Sequence, residues 1–121
     1  MRFNHLNLVV TQPEASCRFY QRYVLPDGEA VWLGNSLHLR NAAGTDLAFQ
    51  AGSPAHPPGA HHGFIAPDAA AIDGLQARLA EGGITITEDC REPDFRSIKF
   101  PDPDGYEIEV YWEAGWTATE D

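Results

Sequence analysis

Basic residues are scarce in this chain. Eight lysines and arginines face eighteen acidic side chains over 121 residues, for a formal net charge of −10. Binding to nucleic acid draws on clusters of Lys and Arg, so the balance argues against that partner. It suits solubility or a cationic ligand instead. Cysteine is scarcer still: Cys17 and Cys90 have no metal-site spacing and build no disulfide framework. Cys17, on a predicted helix, reads as a small buried apolar residue, and Cys90 falls in a predicted loop. Long apolar runs are missing, and none approaches the roughly 20 residues that a membrane span needs. The opening Met1-Arg2-Phe3-Asn4-His5 runs straight into a strand pattern without a signal-peptide core. A cytoplasmic location is the default expectation. What remains is ordinary for a globular domain, with 43% hydrophobic and 21% charged residues.

The most informative stretch is 98–110, Ile-Lys-Phe-Pro-Asp-Pro-Asp-Gly-Tyr-Glu-Ile-Glu-Val. It reads as strand, tight turn and strand, with Asp and Pro forcing the reversal and Gly105 at its exit. In the second strand Tyr106, Ile108, Val110 and Trp112 share one face, and Glu107, Glu109 and Tyr111 the other. A carboxylate in mid-strand, with apolar neighbours on both sides, is either solvated or a ligand.

The rest of the chain states one order of elements twice. A strand over 3–10 is followed by Thr11-Gln12-Pro13-Glu14, a capping-box pattern opening a helix with Ser16, Phe19, Tyr20, Tyr23 and Val24 on its stripe. Strands are predicted at 29–33, 36–40 and 45–50. Residues 51–60, with three prolines and two glycines, form a linker. The second half runs as a strand from His61 to Ala66, a helix opening at Pro67-Asp68 and stopped by Gly82-Gly83, then strands at 84–87, 95–100 and 106–112. The fold class is therefore α+β: two βαβββ modules, 1–50 and 61–113, with a tail over 114–121, forming a curved mixed sheet around a cavity with the helices on the outer face.

Parity then sorts the strands. With Leu37, Leu39, Leu47 and Phe49 turned toward the helices, the open face collects His5, Asn7, Ser36, His38, Arg40, Asp46, Ala48, Gln50, His61, Ser97, Lys99, Glu107, Glu109 and Tyr111. A solvent face is usually rich in Lys, Glu and Thr; this one sets histidines and a glutamate in separate strands. Imidazole and carboxylate together suit a divalent metal.

These residues resemble a known family. His5 two residues after an aromatic, His61 in a His-x-x-Phe pattern, and the ending Asp-Pro-Asp-Gly-x-x-Ile-Glu-Val are similar to the vicinal oxygen chelate superfamily, which includes glyoxalase I, bleomycin-resistance proteins, fosfomycin-resistance thiol transferases and extradiol dioxygenases. The resemblance spans Phe3 to Trp112. It implies a divalent ion (Zn, Ni, Mn or Fe) held by His5, His61 and Glu109, with His62 the rival to His61. It also implies a homodimer and a small-molecule substrate. The family's fourth ligand place falls on Asp46 in one alignment and on Ala48 in another. Glu107 and Asp46 are the candidate proton carriers. His38, Arg40, Gln50, Lys99 and Tyr111 are the candidate substrate contacts. The function implied is a Lewis-acid isomerase, lyase or group transferase. The alternative is a metal-free binding protein of the bleomycin-resistance type.

Overall fold

Among the described residues, eight strands form two sequential four-stranded sheets, each accompanied by one helix. The computed structural model describes residues 1–116; the end of the tail expected over 114–121 lies outside the described residues. The elements run β1 (His5–Val10), α1 (Pro13–Tyr23), β2 (Glu29–Leu33), β3 (Ser36–Arg40) and β4 (Asp46–Ala51). They continue as β5 (His61–Ile65), α2 (Ala69–Glu81), β6 (Glu88–Glu92), β7 (Phe95–Pro101) and β8 (Glu107–Glu113). The chain divides into two compact units between Pro57 and Pro58, inside the predicted linker. Among the described residues no helix is long and apolar enough to cross a membrane.

The first sheet has the order β1-β4-β3-β2 and the second β5-β8-β7-β6. In each, the first strand pairs in parallel with the last, because the helix between strands one and two carries the chain across, while the remaining pairs are antiparallel. Parity decides what lies under the helices. In the first unit Leu8, Val10, Leu37, Leu39, Leu47 and Phe49 are buried with Tyr20 and Tyr23 of α1, and the Tyr20 and Phe49 rings meet at 5.3 Å. In the second, Ile98, Phe100, Ile108 and Val110 are buried with Ile72, Leu75 and Leu79 of α2. At roughly 1.5–3 kcal/mol for each large apolar side chain, these two layers supply most of the favourable free energy of folding.

Local chemistry explains most boundaries. Asp68 caps α2, its carboxylate accepting from the Ala71 amide at 2.8 Å. Gly83 follows at φ 73°, the left-handed conformation that ends the helix without a side-chain clash. Three expectations are corrected. The capping box does not form, because α1 starts at Pro13 with Gln12 as its N-cap and no side-chain cap; proline favours the first helical position and so displaces the cap past Thr11. The strand expected at 84–87 instead begins at Glu88, since the chain leaving α2 is first held by the Ile84 amide on the Leu79 carbonyl. Cys90 therefore lies on β6 and not in a loop.

Candidate functional site

The turn at 102–105 places the site's carboxylate. Asp102 is buried, and its Oδ1 accepts from the amides of Asp104 and Tyr106, each at 2.9 Å. The Gly105 amide donates to the Asp102 carbonyl, and Gly105 sits at φ 88°. Asp102 thus binds both ends of the reversal, and β8 leaves it with Ile108 and Val110 against the helix and Glu109 on the open face.

Glu109 is doubly held there. Its Oε2 accepts from the Ser97 hydroxyl at 2.5 Å, and its Oε1 lies 3.2 Å from His61 Nε2. Ser97 is almost fully buried, so its hydroxyl has little freedom to leave the carboxylate. His61 reaches Glu109 because β5 runs parallel to β8, with Gly63 opposite Glu109 in the register and no side chain between them. His62 belongs to the other face, its ring edge-on to Phe64 at 6.1 Å. Burial and the neighbouring His61 push its pKa down to about 4, so it is neutral at neutral pH.

The pair has the dimensions of two metal ligands. Donors each about 2.0–2.2 Å from one ion and separated by about 90–110° lie roughly 3.0–3.5 Å apart, which brackets the observed contact. Ser97 plays the part of an outer hydrogen bond that orients a ligating carboxylate. Among the described residues no group of three or more His, Cys, Asp or Glu gathers as a metal site. The His61–Glu109 pair fits as part of a donor set and is not a complete one.

The first unit has a different constellation at the matching strands. His5, the third expected ligand, opens β1 as His61 opens β5; it is exposed, with Nδ1 3.2 Å from Asn4 Oδ1. Asn7 lies opposite Ala48 as Gly63 lies opposite Glu109, so the register gives Ala48 the place that Glu109 has in the second sheet. Asp46 takes the place of Glu107. It is engaged by neighbours on β3: His38 Nδ1 is 2.9 Å from Asp46 Oδ1, and an Arg40 terminal nitrogen is 3.1 Å from Asp46 Oδ2.

The other expected contacts are dispersed over the two sheets. Lys99, directly opposite Glu109, turns to Glu88 at 3.4 Å. Glu107 accepts from the Thr87 hydroxyl at 3.5 Å. The Tyr111 hydroxyl accepts from Trp116 at 3.2 Å, and Gln50 is exposed near the end of β4.

The sequence reading missed Arg96. It occupies the helix side of β7, buried in line with Ile98 and Phe100, and binds Asp89 at 2.7 Å, Gln76 at 2.7 Å and Asp73 at 3.2 Å. The available signal was its parity: an arginine in register with two core residues requires buried partners.

Comparison with known proteins decides the family. The family model described as Glyoxalase/Bleomycin resistance protein/Dioxygenase superfamily matches residues 2–110. The chain belongs to that superfamily. No curated protein matches this superfamily member at a significant level. Solved structures do. A possible glyoxalase from Bacillus cereus is 27% identical, with a TM-score of 0.74 over 91% of this chain and 97% of that one. The oxidase ChaP-H2 shares the fold at 21% identity and a TM-score of 0.76, covering 95% and 96% of the two chains. The fosfomycin resistance protein FosX from Mesorhizobium loti does so at 19% identity and a TM-score of 0.76, covering 94% and 93%.

Proposed function

We propose that this glyoxalase-superfamily protein is a metal-dependent enzyme acting on a small substrate with two adjacent oxygens, by an isomerase, lyase or transferase type of reaction. The His61–Glu109 contact, backed by Ser97, carries the reading. A solvated strand face does not require a buried hydroxyl clamped to a carboxylate that is itself in contact with an imidazole. His61 and Glu109 would hold the ion, and His5 is the third candidate donor, which a second copy of the chain could supply. The homodimer that this arrangement needs is supported by exposed Val31, Trp32 and Leu33 on the edge strand β2.

When bound, a divalent ion supplies Lewis-acid polarisation of a carbonyl, worth several kcal/mol to developing negative charge. The protein's own part is positional. Ser97 keeps Glu109 from rotating, and Lys99 places a positive charge on the strand beside it. Arg40, His38, Gln50 and Tyr111 are the candidate substrate contacts. Of the two candidate proton carriers, Glu107 is half-buried beside Thr87, whereas both oxygens of Asp46 are engaged.

One observation favours the alternative, a metal-free binding protein: Ala48 stands in the first sheet at the place that the carboxylate of Glu109 has in the second. Metal analysis separates the two. The purified protein, stripped and titrated with Zn, Mn, Ni and Fe salts, is expected to take up a stoichiometric ion that His5→Ala, His61→Ala and Glu109→Ala each lose. A wild type that takes up none of the four ions overturns the enzyme reading in favour of the binding protein.

A further inference from the structure

The open face of the second sheet carries an aromatic group beside the His61–Glu109 pair, within the same compact unit. Tyr111 stands two residues beyond Glu109 on β8, about 7 Å further along the same face. Its ring centroid lies 6.3 Å from that of Phe95, with the planes inclined by 31°, within the range over which aromatic rings attract one another. Ser97, opposite Tyr111 in the register of β7 and β8, is the residue that clamps Glu109. Ile65, opposite Tyr111 on β5, flanks the ring on its other side.

The chain leaving β8 turns back to extend this surface. Gly115 sits at φ 78°, the Trp116 amide donates to the Glu113 carbonyl at 3.1 Å, and the Ala114 amide donates to the Asp94 carbonyl at 2.8 Å. The turn brings the Trp116 indole to Tyr111, where its N–H donates to the phenolic oxygen at 3.2 Å. Core packing does not account for the group, since Phe95 and Tyr111 are only half-buried and Trp116 is 57% exposed.

We propose that Phe95, Tyr111 and Trp116 form a platform for an aromatic ring of the substrate, with Tyr111 as the specificity-determining residue. This rests on the reading of His61 and Glu109 as the end of the site that receives the two adjacent oxygens. A compact molecule with its oxygens at that end and a ring one carbon away reaches Tyr111, because Glu109 and Tyr111 are same-face neighbours on one strand. Charge favours the same orientation. Lys99 stands directly opposite Glu109 and four residues from Phe95 on β7, so its positive charge belongs to the oxygen end and not to the rings. The class of ligand is an aryl compound with an oxygenated, anionic head, such as an aryl 2-hydroxy acid.

Mandelate is the probe, and hexahydromandelate, whose saturated ring has similar bulk but no π face, is its control. Calorimetric titration of the whole protein, with and without Zn2+, reads both affinities. Wild type is expected to prefer mandelate by about 2–10-fold, the span that aromatic contact adds to simple burial. Tyr111→Leu should abolish that preference while taking up Zn2+ as wild type does, and Tyr111→Phe should keep most of it, which separates the ring from the hydroxyl. Equal affinities for the two acids in wild type overturn the platform, as does a preference that Tyr111→Leu retains or a complete failure to bind mandelate. Ion uptake is measured independently of the acids. Zn2+ bound without any preference for the aromatic acid defeats this inference alone, whereas a Tyr111-dependent preference in a protein that takes up no ion supports the platform and defeats only the metal reading.

Discussion

Replacing Arg96 by methionine tests whether the helix-side ion network holds the strand from which the site is built. The arginine side chain is 5% exposed, and its partners are less buried, Asp89 at 35% and Asp73 at 56%. Arg96 also donates to the Ser97 carbonyl at 3.2 Å, so one side of β7 is pinned by the guanidinium while the next residue clamps Glu109 on the other. Breaking a fully buried ion pair costs about 3–5 kcal/mol, and an exposed one roughly 0.2–1 kcal/mol. The two aspartates regain water once the arginine is gone, and methionine keeps much of the apolar stem, so the expected loss is about 2–3 kcal/mol. With a urea slope of roughly 1.5 kcal/mol per molar, the unfolding midpoint should fall by about 1.5–2 M. Asp89→Asn should cost less than that, and Asp73→Asn less than about 1 kcal/mol, in the order of their exposure. High salt should leave the Arg96 effect in place, because buried pairs are poorly screened. Chemical denaturation of the four proteins, with and without added salt, provides the measurement. An Arg96→Met midpoint equal to wild type, or an Asp73→Asn loss as large as that of Arg96→Met, refutes the reasoning.

Two further outcomes follow from the same geometry. Asp102→Ala removes the acceptor for one buried and one part-buried amide, each at 2.9 Å, so it should cost roughly 2–3 kcal/mol in urea and weaken ion uptake at Glu109; unchanged uptake would show that the turn does not position that carboxylate. His62 gives the metal-free protein an acid sensitivity of known sign. Its folded pKa, lowered to about 4, lies below the unfolded value of roughly 6.5, so only the unfolded chain takes up the proton in that window. Stability should therefore decline as pH falls from about 6.5 to about 4, by roughly 1–2 kcal/mol after allowance for partial exposure. His62→Phe should flatten that limb of the stability–pH curve, and an identical slope in wild type and variant sinks the account.

Local chemistry made much of this protein readable before any coordinates. Period-two alternation assigned Glu109 and His38 to the open faces, and Asp102 to Gly105 announced the turn. Gly82-Gly83 marked the end of α2. These signals are written in residues close together along the chain, which respond to steric and hydrogen-bonding rules that need no distant partner. β6 was misplaced for the complementary reason. Glu88–Glu92 has no apolar alternation, and it is a strand because β7 offers it a ladder; Ile84 and Ile86 alternate but lie ahead of that ladder, where the Ile84 amide is held by the Leu79 carbonyl. Partnerships between strands were likewise closed to the sequence. Whether Asp46 or Ala48 matches Glu109 depends on the pairing of β1 with β4, and a shift of one residue would turn Asp46 to the opposite face. That Ser97 holds Glu109, that His38 finds Asp46 and that Arg96 is buried among acids were decided by strand register and helix packing. The chain alone determined which side chains are present and, where alternation is strong, which of them share a face. The tertiary structure decided which of them meet, because contacts between residues far apart in sequence are set only when the sheets and their helices pack.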